Sequence, residues 1–191
     1  MSLHRYFAGV RPEHEEPLHA QLTEEGRERV TAMQQALTAA VGAEVTWDDD
    51  NPSVSSFEYT PHDLHGLRSL AAHQEYPATF LFIRRAFRLL SDPRDHAGLR
   101  RIFGGAETSF PHMMRHSDNR GFFVPGDYEQ PEFGSESEWW KVGANQRLLA
   151  EMQRLQPLVD AQAPALSGPQ SRVLAAVTAS CAQNLPLIVD A

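Results

Sequence analysis

Residues 110–128 read F-P-H-M-M-R-H-S-D-N-R-G-F-F-V-P-G-D-Y. How this stretch is read decides whether the centre of the chain is a loose tether or a packed part of the domain. It places His112, His116 and Asp118 within seven positions and ends in an aromatic segment closed by Pro125 and Gly126. It lies inside residues 103–144, which hold six glycines, three prolines and little periodicity. A region that long without regular pattern is functional or disordered. Its aromatic residues (Phe103, Phe110, Phe122, Phe123, Tyr128, Phe133, Trp139 and Trp140) favour an ordered loop region packed on a core.

Helical patterns surround it. Thr23 can cap a helix whose apolar face is Val30, Met33, Leu37 and Ala40, and Gly42 ends it. Val45 and Trp47 alternate with polar neighbours, as do Phe57 and Tyr59, and each pair predicts a short strand. Thr60-Pro61-His62-Asp63 opens a second helix with the buried stripe Leu64, Leu67, Leu70 and Ala71. Residues 78–91 carry the strongest apolar face and predict a central core helix. A short helical turn follows through Leu99 and Ile102. Asn145 is placed to cap a helix bearing Leu148, Leu149, Met152 and Leu155, with Gln156-Pro157 loosening its end. Residues 161–169 read as a linker, and a last helix starts near Gln170. The tail from Leu185 can add a strand. The expectation is one helix-dominated α+β domain over residues 1–191, with a few short strands, an irregular segment over residues 1–20 and a long loop region over 103–144.

The whole-chain numbers narrow the function. The chain has 191 residues, 25 acidic and 17 basic side chains, and a net charge of −8. Its mean hydropathy is −0.42. An acidic chain lacks the clustered cations that replace phosphate counterions, so nucleic acid and anionic membranes are not expected partners. A basic protein partner fits by electrostatic steering. No apolar run approaches the roughly 20 residues of a membrane span, and no signal peptide is recognisable. The single Cys181 excludes an internal disulfide and any Cys-based metal motif. Together these predict a cytoplasmic protein.

Specific chemistry concentrates in the 110–128 stretch. His112 and His116, four apart, share a face if helical and with Asp118 offer a divalent-metal set such as zinc would use. No glutamate stands between them in the general-base position of H-E-x-x-H. His62, His65 and His73 form a second group on the predicted second helix. His116-Ser117-Asp118 has the residue types of a hydrolase triad, but adjacent residues point apart and no nucleophile elbow is present. The glycines at 104 and 105 lack the lysine of a P-loop, and Asp48 to Asp50 lack the frame of a calcium loop. Trp139 and Trp140, Phe122, Phe123 and Tyr128 are candidates for a binding surface together with His112, His116 and Asp118.

Three blocks, residues 57–72, 110–128 and 142–152, resemble a family of small uncharacterised bacterial proteins. The shared feature is a His-Ser-Asp…Gly-aromatic-aromatic-x-Pro-x-Asp segment. The resemblance implies a bacterial cytoplasmic protein and transfers no activity and no catalytic residue. The sequence therefore reads as a non-enzymatic protein-binding domain without a cofactor, of the immunity or antidote type. The alternative is a metal-dependent hydrolase or small-molecule site on His112, His116 and Asp118.

Overall fold

The computed structural model describes residues 18–47, 61–76, 97–116, 120–129, 132–133 and 141–190. In chain order the elements are α1 (Leu18–Val41), α2 (Pro61–Glu75), α3 (Ala97–Phe103), α4 (Pro111–Arg115), β1 (Arg120–Val124), β2 (Glu132–Phe133), β3 (Lys141–Ala144), α5 (Asn145–Gln162), a 3₁₀ turn (Pro164–Leu166), α6 (Ser167–Gln183) and β4 (Leu187–Asp190). The chain is a helix-dominated α+β fold, as its pattern predicts. No described helix is long and apolar enough to cross a membrane.

The four strands form one mixed sheet in the order β2-β3-β1-β4. β1 runs parallel to β3 and antiparallel to β4, and β2 is antiparallel to β3. The region 103–144 thus supplies α4 and three of the four strands. Because side chains alternate along a strand, the sheet has two faces. Phe122 pairs with Val142 and Ile188, and Phe123 with Gly143 and Leu187. Phe122, Val124, Val142 and Ala144 face a cluster completed by Val30, Met33 and Leu37 of α1, Val45, Trp47 and Tyr128. Phe123 and Leu187 face the other cluster, built from α2 to α6 with Leu67, Leu99, Met113, Met152 and Val177 at its centre. Helices therefore cover the sheet on both sides. Gly143 lets this happen: a Cβ there would lie 2.5 Å from the Phe123 ring.

Several local expectations change under packing. α1 starts at Leu18 and not near Thr23; it ends before Gly42, whose φ of +69° is left-handed and whose N–H donates to Thr38 O at 3.0 Å. Residues 44–47 belong to no strand. Their alternation still buries Val45 and Trp47, and the Val45 N–H is satisfied by Thr38 Oγ1 at 3.0 Å instead of a neighbouring strand. Asn145 is not the cap of α5. That position belongs to Ala144, while Asn145 turns inward and donates from Nδ2 to Ser180 Oγ at 3.1 Å. α5 passes through Pro157 to Gln162, because Leu155 and Val159 on either side are fully buried. That burial offsets a break worth about 3 kcal/mol. The expected linker shrinks to Ala163 and the 3₁₀ turn, and α6 begins at Ser167. The predicted strand at Phe57–Tyr59 and the core helix over 78–91 lie outside the described residues, as do residues 1–17.

Candidate functional site

The centre of the 110–128 stretch is a five-residue helix, α4, that cannot stabilise itself. A single turn leaves most of its backbone groups unpaired, and Phe110 at its N-cap contributes no side-chain bond. Two other helices complete it. From α5, Glu151 accepts the N–H of His112 on Oε1 at 2.9 Å and the N–H of Met113 on Oε2 at 2.7 Å. From α2, Arg68 donates from Nε to Met113 O and from Nη2 to His116 O, both at 2.6 Å. Both side chains are buried. Burial pushes the Glu151 carboxyl up to about 8, against the opposing pull of the two N–H bonds.

His112, on α4, joins this helix to the sheet. Ala144 at the end of β3 donates its N–H to Nδ1 at 3.0 Å. Nδ1 is therefore the acceptor of a neutral ring, and Nε2–H donates to Tyr128 O at 2.9 Å. Burial drives the imidazole down to about 4, although the backbone oxygens of Tyr128 and Glu129 favour the cation. His116 lies just past α4. Its Nε2–H donates to Phe122 O at 3.1 Å and its ring stacks on Phe123 at 4.0 Å.

The candidate residues thus fall into three groups. His112 and His116 are buried and bound to backbone, with both nitrogens of His112 in use, so a cation there would have to displace two protein hydrogen bonds. Phe122, Phe123 and Tyr128, expected on a binding surface, are buried in the two clusters that flank the sheet. Asp118, Ser117, Trp139 and Trp140 lie outside the described residues. Among the described residues no group of three or more His, Cys, Asp or Glu could hold a metal. His65 is buried on α2, and Cys181 is half-buried with its thiol pushed up by burial. Sequence reasoning missed Arg68 and Glu151. The signal was present: each occupies a core-facing position of its helix, Arg68 beside Leu64, Leu67 and Ala71, and Glu151 between Leu148 and Leu155.

A different feature emerges on the α1 side of the sheet. The negative charge is uneven along the chain. Residues 1–60 hold eleven acidic and four basic side chains, and residues 121–140 hold five acidic and no basic ones. The other two stretches, 61–120 and 141–190, are net basic or balanced within one charge. One aromatic residue from each of the two acidic segments lies in the same cluster. Tyr128 is buried there between the exposed Asp127 and Glu129. Trp47 is buried in the same cluster and directly precedes Asp48 to Asp50 in sequence. Glu24, Glu28 and Glu44 are exposed on and after α1. Asp127 is also held by Arg147 from α5.

Residues 10–188 match a family model described as “Putative DNA-mimic protein”. No curated protein and no solved structure matches the chain. The match corrects two expectations drawn from the sequence. An immunity or antidote-type domain, with a metal-dependent hydrolase on His112, His116 and Asp118 as its alternative, is not the function that the family describes. Leaving nucleic acid out of the partner chemistry was also wrong, since imitation of DNA is the family's defining description.

Proposed function

The chain belongs to this DNA-mimic family, and from that premise we propose that it occupies the duplex-binding surface of a DNA-binding protein. It offers carboxylates where that surface would meet phosphates. The observation that carries the reading is that Trp47 and Tyr128, each next to carboxylates in sequence, are buried in one cluster, with Glu44, Asp127 and Glu129 exposed beside them in the chain.

The physical logic inverts the first reading of the charge. Duplex DNA carries one negative charge per about 1.7 Å of axis, and its protein partners line their sites with Lys and Arg. A protein of net charge −8 is repelled by DNA but attracted by the same sites. Carboxylates are acceptor-only groups that take bidentate bonds from Arg, as phosphates do. Fixed on a folded scaffold, they compete with the duplex without being nucleic acid. Helices α2 to α6 and their buried core then serve as the support that holds this face.

Competition tests the reading. Immobilised chain is used to capture proteins from its host lysate, which are eluted with rising NaCl and assayed with a fluorescent duplex. The expected result is a captured protein that binds the duplex alone and releases it when the chain is added in equimolar amount. Direct binding of the captured protein to the chain should weaken as NaCl rises, because salt screens the attraction between opposite charges. A ternary complex, with duplex and chain bound together, would overturn the proposal.

A further inference from the structure

We infer that His112 is the positioning residue for the acidic 127–129 segment, holding it against the sheet as one part of the DNA-mimicking face. The inference rests on the function proposed above and adds how that face is kept in place.

The geometry is specific. The imidazole is fully buried and sits between two backbone groups from different segments: Ala144 N–H at the end of β3 and Tyr128 O in the acidic segment. One ring thereby ties residue 128 to the strand edge and, through α4, to Glu151 and Arg68. The Tyr128 ring meets His112 edge-on, with centroids 5.6 Å apart, and its other side joins the α1 cluster. Asp127 and Glu129, on either side of Tyr128, are exposed. Residues 125–129 belong to no strand, so their carbonyls and N–H groups have no ladder to hold them. Without His112 the segment keeps the packing of the Tyr128 ring in the α1 cluster and the exposed Arg147–Asp127 pair, neither of which fixes the Tyr128 carbonyl to the end of β3. A mimic works by placement and not by charge count alone, since rigid Lys and Arg sites favour a preorganised array.

Because His112 is neutral when folded, replacing it leaves net charge unchanged. Three variants separate the contributions. H112F removes both hydrogen bonds and keeps an uncharged aromatic ring, though a larger one. H112Q offers an amide oxygen for Ala144 N–H and an amide N–H for Tyr128 O. D127N/E129Q changes only exposed side chains and does not challenge folding.

Amide hydrogen exchange at residues 127–129 and 144 is the first measurement, made without any partner. H112F should lose protection at both places and H112Q should regain part of it. Equal protection in H112F and the parent chain sinks the inference, whatever becomes of the functional reading. The second measurement is affinity for the DNA-binding protein recovered by the competition experiment, with poly-L-lysine as the flexible control. H112F should bind the DNA-binding protein about tenfold more weakly if a tenth of the molecules keep the segment in place, with poly-L-lysine binding unchanged. D127N/E129Q should weaken both. If D127N/E129Q binds the DNA-binding protein as tightly as the parent chain, the segment is not part of the face and the inference fails. If the parent chain fails to displace duplex from any recovered protein, it is the functional reading that fails, while the exchange data still decide what His112 holds.

Discussion

Glu151 and Arg68 hold opposite ends of the same five-residue helix. The Glu151 carboxyl group takes the N–H groups of His112 and Met113, and the guanidinium takes the carbonyls of Met113 and His116. The guanidinium stands at the C-terminal end, where the helix dipole favours a cation. A turn too short to persist alone is thereby fixed between α2 and α5, and with it the two histidines that reach the sheet.

Glu151→Gln should destabilise the fold by about 1–3 kcal/mol. The amide keeps one acceptor for two backbone N–H groups and turns an NH₂ toward the other. Urea unfolding at pH 6 checks this: the midpoint should fall with the slope unchanged. An unchanged midpoint would mean that the two N–H groups find another acceptor.

The pH dependence between 4 and 8 is set chiefly by the two most strongly shifted groups. Glu151 stands near 8 when folded against an ordinary 4.5, so the native state holds the extra proton between those values. Its contribution is fully present below about 4.5 and is lost as pH rises through 8. His112 stands near 4 against 6.5, so its contribution is present above 6.5 and lost as pH falls through 4. The two oppose each other between 4.5 and 6.5. Between 6.5 and 8 Glu151 acts alone, and the melting temperature should decline. Charges facing Glu151 come from Arg154 and Glu75, and those facing His112 from Arg147 and Asp127. In Glu151→Gln the decline above pH 6.5 should vanish; parallel profiles for the two proteins would contradict this account.

Arg68→Met keeps much of the side-chain volume and removes the fork. Two buried carbonyls then lose their donors, at about 1–3 kcal/mol each. Arg68→Lys should recover only part of the loss, because an ammonium lacks the planar geometry that reaches both oxygens. Thermal melts of the three proteins should rank Arg, then Lys, then Met. A Met variant as stable as the parent would remove Arg68 from the support of α4.

Gly143→Ala should cost about 1–3 kcal/mol through overpacking. The added methyl would meet the Phe123 ring at 2.5 Å and His112 Nδ1 at 3.3 Å. Phe123 also stacks on His116, so the shift spreads to α4. Loss of amide protection at Ala144 alongside a lower melting temperature is the expected pair of readings. A fully protected Ala144 amide would show that the ring yields without disturbing His112.

Much of the fold was legible wherever a periodic apolar pattern coincided with a local stop signal. The stripe Leu64, Leu67, Leu70 and Ala71 after Pro61 located α2, and Gly42 fixed the end of α1. The tail strand was legible from Leu187 onward. Where pattern and partner must combine, the sequence was ambiguous. Val45 and Trp47 alternate like a strand, yet they are buried without one, because a threonine hydroxyl and an apolar cluster satisfy them. Phe122 and Phe123 were recognised as important, but a strand buried on both faces offers no alternation to mark it.

By itself the sequence determined a helix-dominated acidic chain, with a histidine-rich stretch at its centre and no complete catalytic motif. Helical periodicity and net charge are sums over neighbouring residues, so they survive without knowledge of the fold. Only the tertiary structure decided what the stretch is for. It turned His112 and His116 inward onto backbone, set Glu151 and Arg68 on one helix, and brought the anchors Trp47 and Tyr128 of two distant acidic segments into one cluster. Those are contacts between residues far apart in the chain. They arise from filling a shared core, and no local spacing encodes them.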